Sequence, residues 1–253
     1  MEYIQSWENY TVPKNYQLFS HLAYGEHADQ YINLAVPRGK SNFPTLIWFH
    51  GGGMTEDAVD FDPAFFDGTV AVAAVHYRLA PETMPPAQYD DTAAAIAFVI
   101  RNIVQYGGSK ELIFAGGLSA GANMVALAVF NYQQYLRKFN VLPGDLKALL
   151  LLSGQMTTHF FVKKHLGYPG SISRPVIDEY APLHWVENAM MPIMLLAGEF
   201  DIPGRKYENL FLQDTLRALG NEHIETHILP GAAHGNHLVK ADLLLSFIKK
   251  HLS

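Results

Sequence analysis

Ser119 lies at the centre of Gly117-Leu118-Ser119-Ala120-Gly121, inside a run (AGGLSAGANM, 115–124) in which seven of ten residues are Gly, Ala or Ser. A serine held on a sharp turn between a strand and a helix presents its hydroxyl above the sheet. The glycines two positions either side are needed because larger side chains would collide where the chain doubles back. Such a hydroxyl attacks a carbonyl only when a base takes its proton, and the base needs a carboxylate to fix its tautomer. The candidate acid is Asp201, in Gly198-Glu199-Phe200-Asp201; Glu199 is its rival and gains if the preceding strand runs further. Among twelve histidines the candidate base is His234, in the small-residue loop Gly231-Ala232-Ala233-His234-Gly235, with His237 as its main competitor. The chain order is therefore serine, acid, histidine, each candidate following a predicted strand.

A second glycine run, His50-Gly51-Gly52-Gly53, closes an apolar stretch and offers backbone N–H groups with no side chains to obstruct approach. It can donate to an oxyanion, and the helix opening at Ala120 aims further N–H groups at the same charge. The glycine spacings of phosphate-binding loops are absent. His223, Glu225 and His227 alternate along one strand, but no further ligand follows and Ile224, Thr226 and Ile228 supply the buried face, so the group reads as a solvated edge. No metal or other cofactor is expected, and the absence of cysteine excludes thiolate chemistry.

The elements that must position these residues alternate as in an α/β protein with a mostly parallel central sheet and helices on both faces. Strands are predicted at Tyr31 to Val36, Thr45 to His50, Val70 to Tyr77, Glu111 to Ala115, Leu146 to Ser153, Pro192 to Ala197 and Ile224 to Leu229, with an antiparallel edge strand near Gln17 to Ala23. Helices are predicted at Tyr89 to Gln105, Ala120 to Phe139, Lys206 to Leu219 and Asn236 to Leu252, with Gly107 and Gly220 as left-handed stops. Residues 155–191 fit neither period and read as a small cap-like insertion within a single domain spanning 1–253. A chain of 253 residues that is 49% hydrophobic can bury one large core. A net charge of -6 with scattered basic residues argues against nucleic acid as a partner. The N-terminus lacks a secretory pattern and no apolar run is long enough for a membrane span, so a cytoplasmic location without membrane association is expected. A homodimer is compatible with the sequence.

With these residues in place, the chain resembles the α/β-hydrolase superfamily, in particular small hormone-sensitive-lipase-like esterases and bacterial feruloyl and acetyl esterases. Three stretches carry the resemblance: His50-Gly51-Gly52-Gly53; Tyr77-Arg78-Leu79-Ala80-Pro81-Glu82 with Pro86-Ala87 and Asp91; and Gly117 to Ala122. It implies Ser119 as nucleophile, Asp201 and His234 as its partners, and Gly51, Gly52 and Ala120 as oxyanion donors. Arg78 is expected to tie its loop to a carboxylate such as Asp91. Two departures bear on specificity. Met54 follows the glycines where relatives often carry Trp or Phe, and only about thirty residues precede Tyr31 where lipase-like relatives carry cap helices. A shallow cleft and small soluble acyl esters as substrates follow as expectations. The same machinery could instead serve an arylformamidase or a serine peptidase, and the fold with a disabled triad would mark a binding protein.

Overall fold

The computed structural model describes residues 12–57, 63–170, 174–235 and 238–252. Its centre is an eight-stranded sheet of order β1-β2-β4-β3-β5-β6-β7-β8. The strands are β1 Tyr16–Ala23, β2 Tyr31–Pro37, β3 Phe43–Phe49, β4 Ala71–His76, β5 Gly108–Leu118, β6 Ala148–Leu152, β7 Ile193–Phe200 and β8 Ile224–Ala233. The β1–β2 and β2–β4 pairs are antiparallel and every later pair is parallel. The helices are α1 Ala87–Asn102, α2 Ala120–Phe130, α3 Phe160–His165, α4 Arg205–Ala218 and α5 Ala241–Lys250.

The central strands are apolar without a break because both faces are covered. In β3, Ile47 and Phe49 face the core shared with Ile96, Val125 and Leu212 of α1, α2 and α4. Leu46 and Trp48 face the opposite layer, closed by Leu244, Phe247 and Ile248 of α5. A one-residue slip would exchange the two sets, so the pleat fixes the register. All eleven residues of α2 are buried, as expected of a helix apolar on every side.

Several predicted elements differ from the structure in their bounds. Helix α2 stops at Phe130 rather than Phe139, and residues 131–139 form turns ending in a short 3-10 helix. The break returns both Tyr135 and Leu136 to the core, adjacent positions that a continued α-helix would set about 100° apart. Strand β5 extends beyond its apolar run because pairing with neighbours outweighs the low strand preference of Gly116 and Gly117, and β8 runs on to Ala233, which pairs with Phe200. Helix α5 begins at Ala241, with Lys240 still extended; residues 236 and 237, including the rival His237, lie outside the described residues. Gly107 and Gly220 take left-handed φ values of 93° and 94°, as their positions after helices require.

Arg78 performs its expected task. Its Nη2 and backbone N–H donate to Asp91 at 2.6 and 3.0 Å, and Gln30 adds a third donor at 2.7 Å. The carboxylate is thereby buried with its charge fully engaged, and the loop after β4 is bound to α1. Within residues 155–191, Asp178 ties several positions together, accepting from Thr158 at 2.5 Å, from the Tyr180 N–H at 2.9 Å and from the Tyr168 hydroxyl. No described helix is long and apolar enough to cross a membrane.

Candidate active site

Ser119 stands between β5 and α2 with φ 56° and ψ -112°, a backbone conformation that residues with side chains rarely adopt. Its N–H donates to the Leu152 carbonyl at 2.8 Å, and its own carbonyl opens α2 by accepting from Asn123. A Cβ on Gly117 would lie 2.4 Å from the Phe49 carbonyl oxygen and one on Gly121 would lie 2.0 Å from it. Any larger residue would push β3 away from the turn. The strain can be measured. Ser119→Gly is expected to be more stable than Ser119→Ala by ~1 kcal/mol in urea unfolding, because glycine takes this φ freely. Equal midpoints for the two variants would mean that the turn stores no strain.

His234 follows β8, and its Nε2 lies 2.9 Å from Ser119 Oγ while its Nδ1 lies 2.7 Å from Asp201 Oδ1. Burial alone would raise the Asp201 carboxyl, but hydrogen bonds from His234, Ser153 and the Gly198 N–H prevail and hold it at about 2. An ionised carboxylate only accepts, so the proton between the pair belongs to Nδ1 and leaves Nε2 as the acceptor for the serine hydroxyl. The Asp201 side chain is 1% exposed and His234 is 24% exposed, so the acid is sealed while the base can be reached.

Strand β7 does run to Phe200, the circumstance that favoured Glu199 on sequence grounds. Asp201 is nevertheless the residue brought to His234, and Glu199 accepts from the Gly231 N–H at 2.8 Å. The 223–227 group remains apart: His227 Nε2 meets Glu225 Oε1 at 2.8 Å and Lys250 reaches the other oxygen at 3.0 Å.

The glycine loop is fixed by a contact the sequence did not reveal. The Tyr77 hydroxyl lies 3.0 Å from the His50 carbonyl oxygen and 3.1 Å from that of Gly51. In trans peptides the C=O and N–H point to opposite sides, so anchoring these two carbonyls turns the N–H groups of Gly51 and Gly52 away from Tyr77. The Tyr77 ring also stacks on His50, whose imidazole is driven down to about 4 by burial, partly offset by Asp57. Two features require glycine at position 52: its φ is 86°, and a Cβ there would lie 2.3 Å from the Glu56 carbonyl oxygen. Met54 is fully buried in the core, and the Phe160 ring abuts Gly53 instead, with Cζ 3.2 Å from where a Cβ would stand.

A mostly parallel sheet, a strained serine between β5 and α2, and acid and histidine on loops after β7 and β8 define an α/β-hydrolase fold. The chain belongs to the BD-FAE family, whose model matches residues 32–206. That span includes the glycine loop, Ser119 and Asp201 and ends before His234, whose placement rests on geometry alone. Carboxylesterase NlhH of Mycobacterium tuberculosis is 40% identical over 96 residues, which cover 36% of this chain and 30% of that one. The chain therefore aligns with less than a third of that relative's length. Among solved structures, a bacterial heroin esterase is 23% identical with a TM-score of 0.74, covering 97% of this chain and 87% of the other. Esterase B from Lactobacillus rhamnosis is 18% identical with a TM-score of 0.76, covering 96% and 89%.

Proposed function

We propose that the protein is a serine carboxylesterase that hydrolyses small acyl esters through an acyl-enzyme. The observation that carries this reading is the unbroken chain from Ser119 Oγ through His234 to the ionised Asp201, at 2.9 and 2.7 Å. His234 takes the hydroxyl proton as Oγ attacks the ester carbonyl, and Asp201 stabilises the imidazolium that forms. The oxyanion is held by the N–H groups of Gly51, Gly52 and Ala120. Collapse expels the alcohol with the proton from His234, and water repeats the cycle on the acyl-enzyme. NlhH is named a carboxylesterase and the structural neighbours are named esterases, which supports the same reaction class.

The proposed substrates are esters of short acyl groups; the Phe160 ring, with Cζ 3.2 Å from where a Cβ on Gly53 would stand, bounds one side of the glycine loop. Acetylated or feruloylated sugars and simple short-chain esters belong to this class. The test is hydrolysis of p-nitrophenyl acetate, butyrate, octanoate and palmitate by the wild type and by Ser119→Ala. Activity that declines with chain length and disappears in the variant is expected. Turnover surviving in Ser119→Ala, or a wild type inert to all four esters, would overturn the reading and turn attention to amides and formamides.

A further inference from the structure

Ser153 follows β6 with φ 50°, in the left-handed region that glycine adopts freely and serine does not. It is anchored on every side. Its N–H donates to the Leu196 carbonyl at 2.6 Å and its carbonyl accepts from Arg205 Nη1 at 2.6 Å. Its hydroxyl donates to Asp201 Oδ2 at 2.7 Å and lies 2.9 Å from His234 Nδ1.

One face of α4 holds the segment that carries it. Arg205, Glu208 and Asn209 stand at i, i+3 and i+4, and so share that face. Asn209 Nδ2 donates to the Gly154 carbonyl at 2.9 Å, and Glu208 Oε2 accepts from the N–H groups of Met156 and Thr157 at 2.8 and 3.0 Å. Only residues 202–204 separate Asp201 from this helix. The acid, Ser153 and the clamp are therefore one connected unit.

We propose that Ser153 is a positioning residue for the His234 base, acting through its hydroxyl rather than through the turn it occupies. The inference rests on the esterase reading above. A hydroxyl has one proton and two lone pairs. Since Asp201 only accepts, the Ser153 proton goes to Oδ2 and a lone pair is left facing the Nδ1–H of His234. That N–H thus meets two acceptors, Asp201 Oδ1 and Ser153 Oγ. They fix the ring's orientation and tautomer together, and the second acceptor adds stabilisation as the ring becomes an imidazolium. The other charged groups around this pair are engaged elsewhere: Arg205 with the Ser153 carbonyl, Glu208 with residues 156 and 157, and Glu199 with the Gly231 N–H. Serine keeps a backbone conformation here that costs it energy, and the hydroxyl is the only thing it offers that glycine lacks.

Ser153→Ala and Ser153→Gly separate the two roles. If the residue only shapes the turn, glycine at φ 50° is as good as serine or better. The proposal expects kcat to fall ~10-fold in both variants with KM within about twofold of wild type. It also expects the acid limb of the kcat/KM profile to move to lower pH, because the imidazolium has lost an acceptor. Ser153→Gly should keep the wild-type unfolding midpoint or exceed it, which preserves the test should Ser153→Ala fold poorly. Ser119-dependent hydrolysis with kcat within twofold and an unmoved acid limb in Ser153→Gly would overturn this inference alone. A wild type without esterase activity, or activity that survives Ser119→Ala, would overturn the esterase reading and this inference with it.

Discussion

Asp201→Asn should lower kcat by about four orders of magnitude, the scale on which an orienting carboxylate acts when its loss leaves the histidine in the wrong tautomer. The argument here comes from the donors around the carboxylate. Oδ2 accepts from Ser153 Oγ and from the Gly198 N–H, and Oδ1 accepts from the Ile202 N–H and from His234. Asparagine must place an NH2 group in one of these positions, and donors already face both. With the NH2 toward His234, Nδ1 must become the acceptor. The ring proton then sits on Nε2 and the serine hydroxyl has no base. With the NH2 toward Ser153 and Gly198, two buried donors face a third. Stability should therefore fall as well, by ~1–3 kcal/mol. Steady-state kinetics with p-nitrophenyl acetate, alongside urea unfolding of the same preparations, checks both effects. Retention of more than about a tenth of wild-type kcat would exclude Asp201 as the orienting acid and return Glu199 to consideration.

Much of this site was legible because chemistry on an open parallel sheet collects at the carboxyl ends of the strands. Apolar runs marked those ends, and Gly117, Gly121 and the 50–53 run marked the turns that no larger residue could make. What stayed hidden depends on register between segments distant in sequence. Ser153 is an ordinary serine after Leu149-Leu150-Leu151-Leu152. Only the pairing of Leu152 with Leu196 sets it beside the loop that carries Asp201. Tyr77 was visible within a motif, but its reach to the His50 and Gly51 carbonyls depends on β4 lying parallel to β3. The end of α2 was missed for a different reason: residues 131–139 keep helical spacing while the core takes Tyr135 and Leu136 together. The strand length that seemed to decide between Glu199 and Asp201 did not decide it, because β8 offers Glu199 a backbone N–H and leaves His234 to Asp201.

The protein should lose stability steeply as the pH falls below about 6.5, well before its carboxylates titrate. Two buried histidines set this window. His159 is driven down to about 3 by burial and then by the positive charges of Arg205 and Lys163, and His50 is driven down to about 4 by burial against a partial pull from Asp57. Both are neutral in the folded protein at pH 7 and near 6.5 when unfolded, so between 6.5 and their folded values the unfolded chain binds more protons. Stability is fully present above 6.5 and declines toward pH 4, by roughly 3 kcal/mol for His50 and a comparable amount for His159 at the bottom of the window. Asp201 has the opposite kind of group with the same outcome lower down: its depressed carboxyl contributes stability that is lost only between 3.8 and about 2. His159 also shows how the term can be isolated. Its Nδ1 accepts from the Phe161 N–H at 3.3 Å, and its buried Nε2 has no hydrogen-bond partner among the described residues. His159→Asn offers an amide oxygen to Phe161 and cannot titrate. Urea midpoints measured from pH 7.5 to 4.5 should fall less steeply for this variant than for the wild type. Parallel curves would mean that His159 is protonated in the folded state at a pH close to that of the unfolded chain.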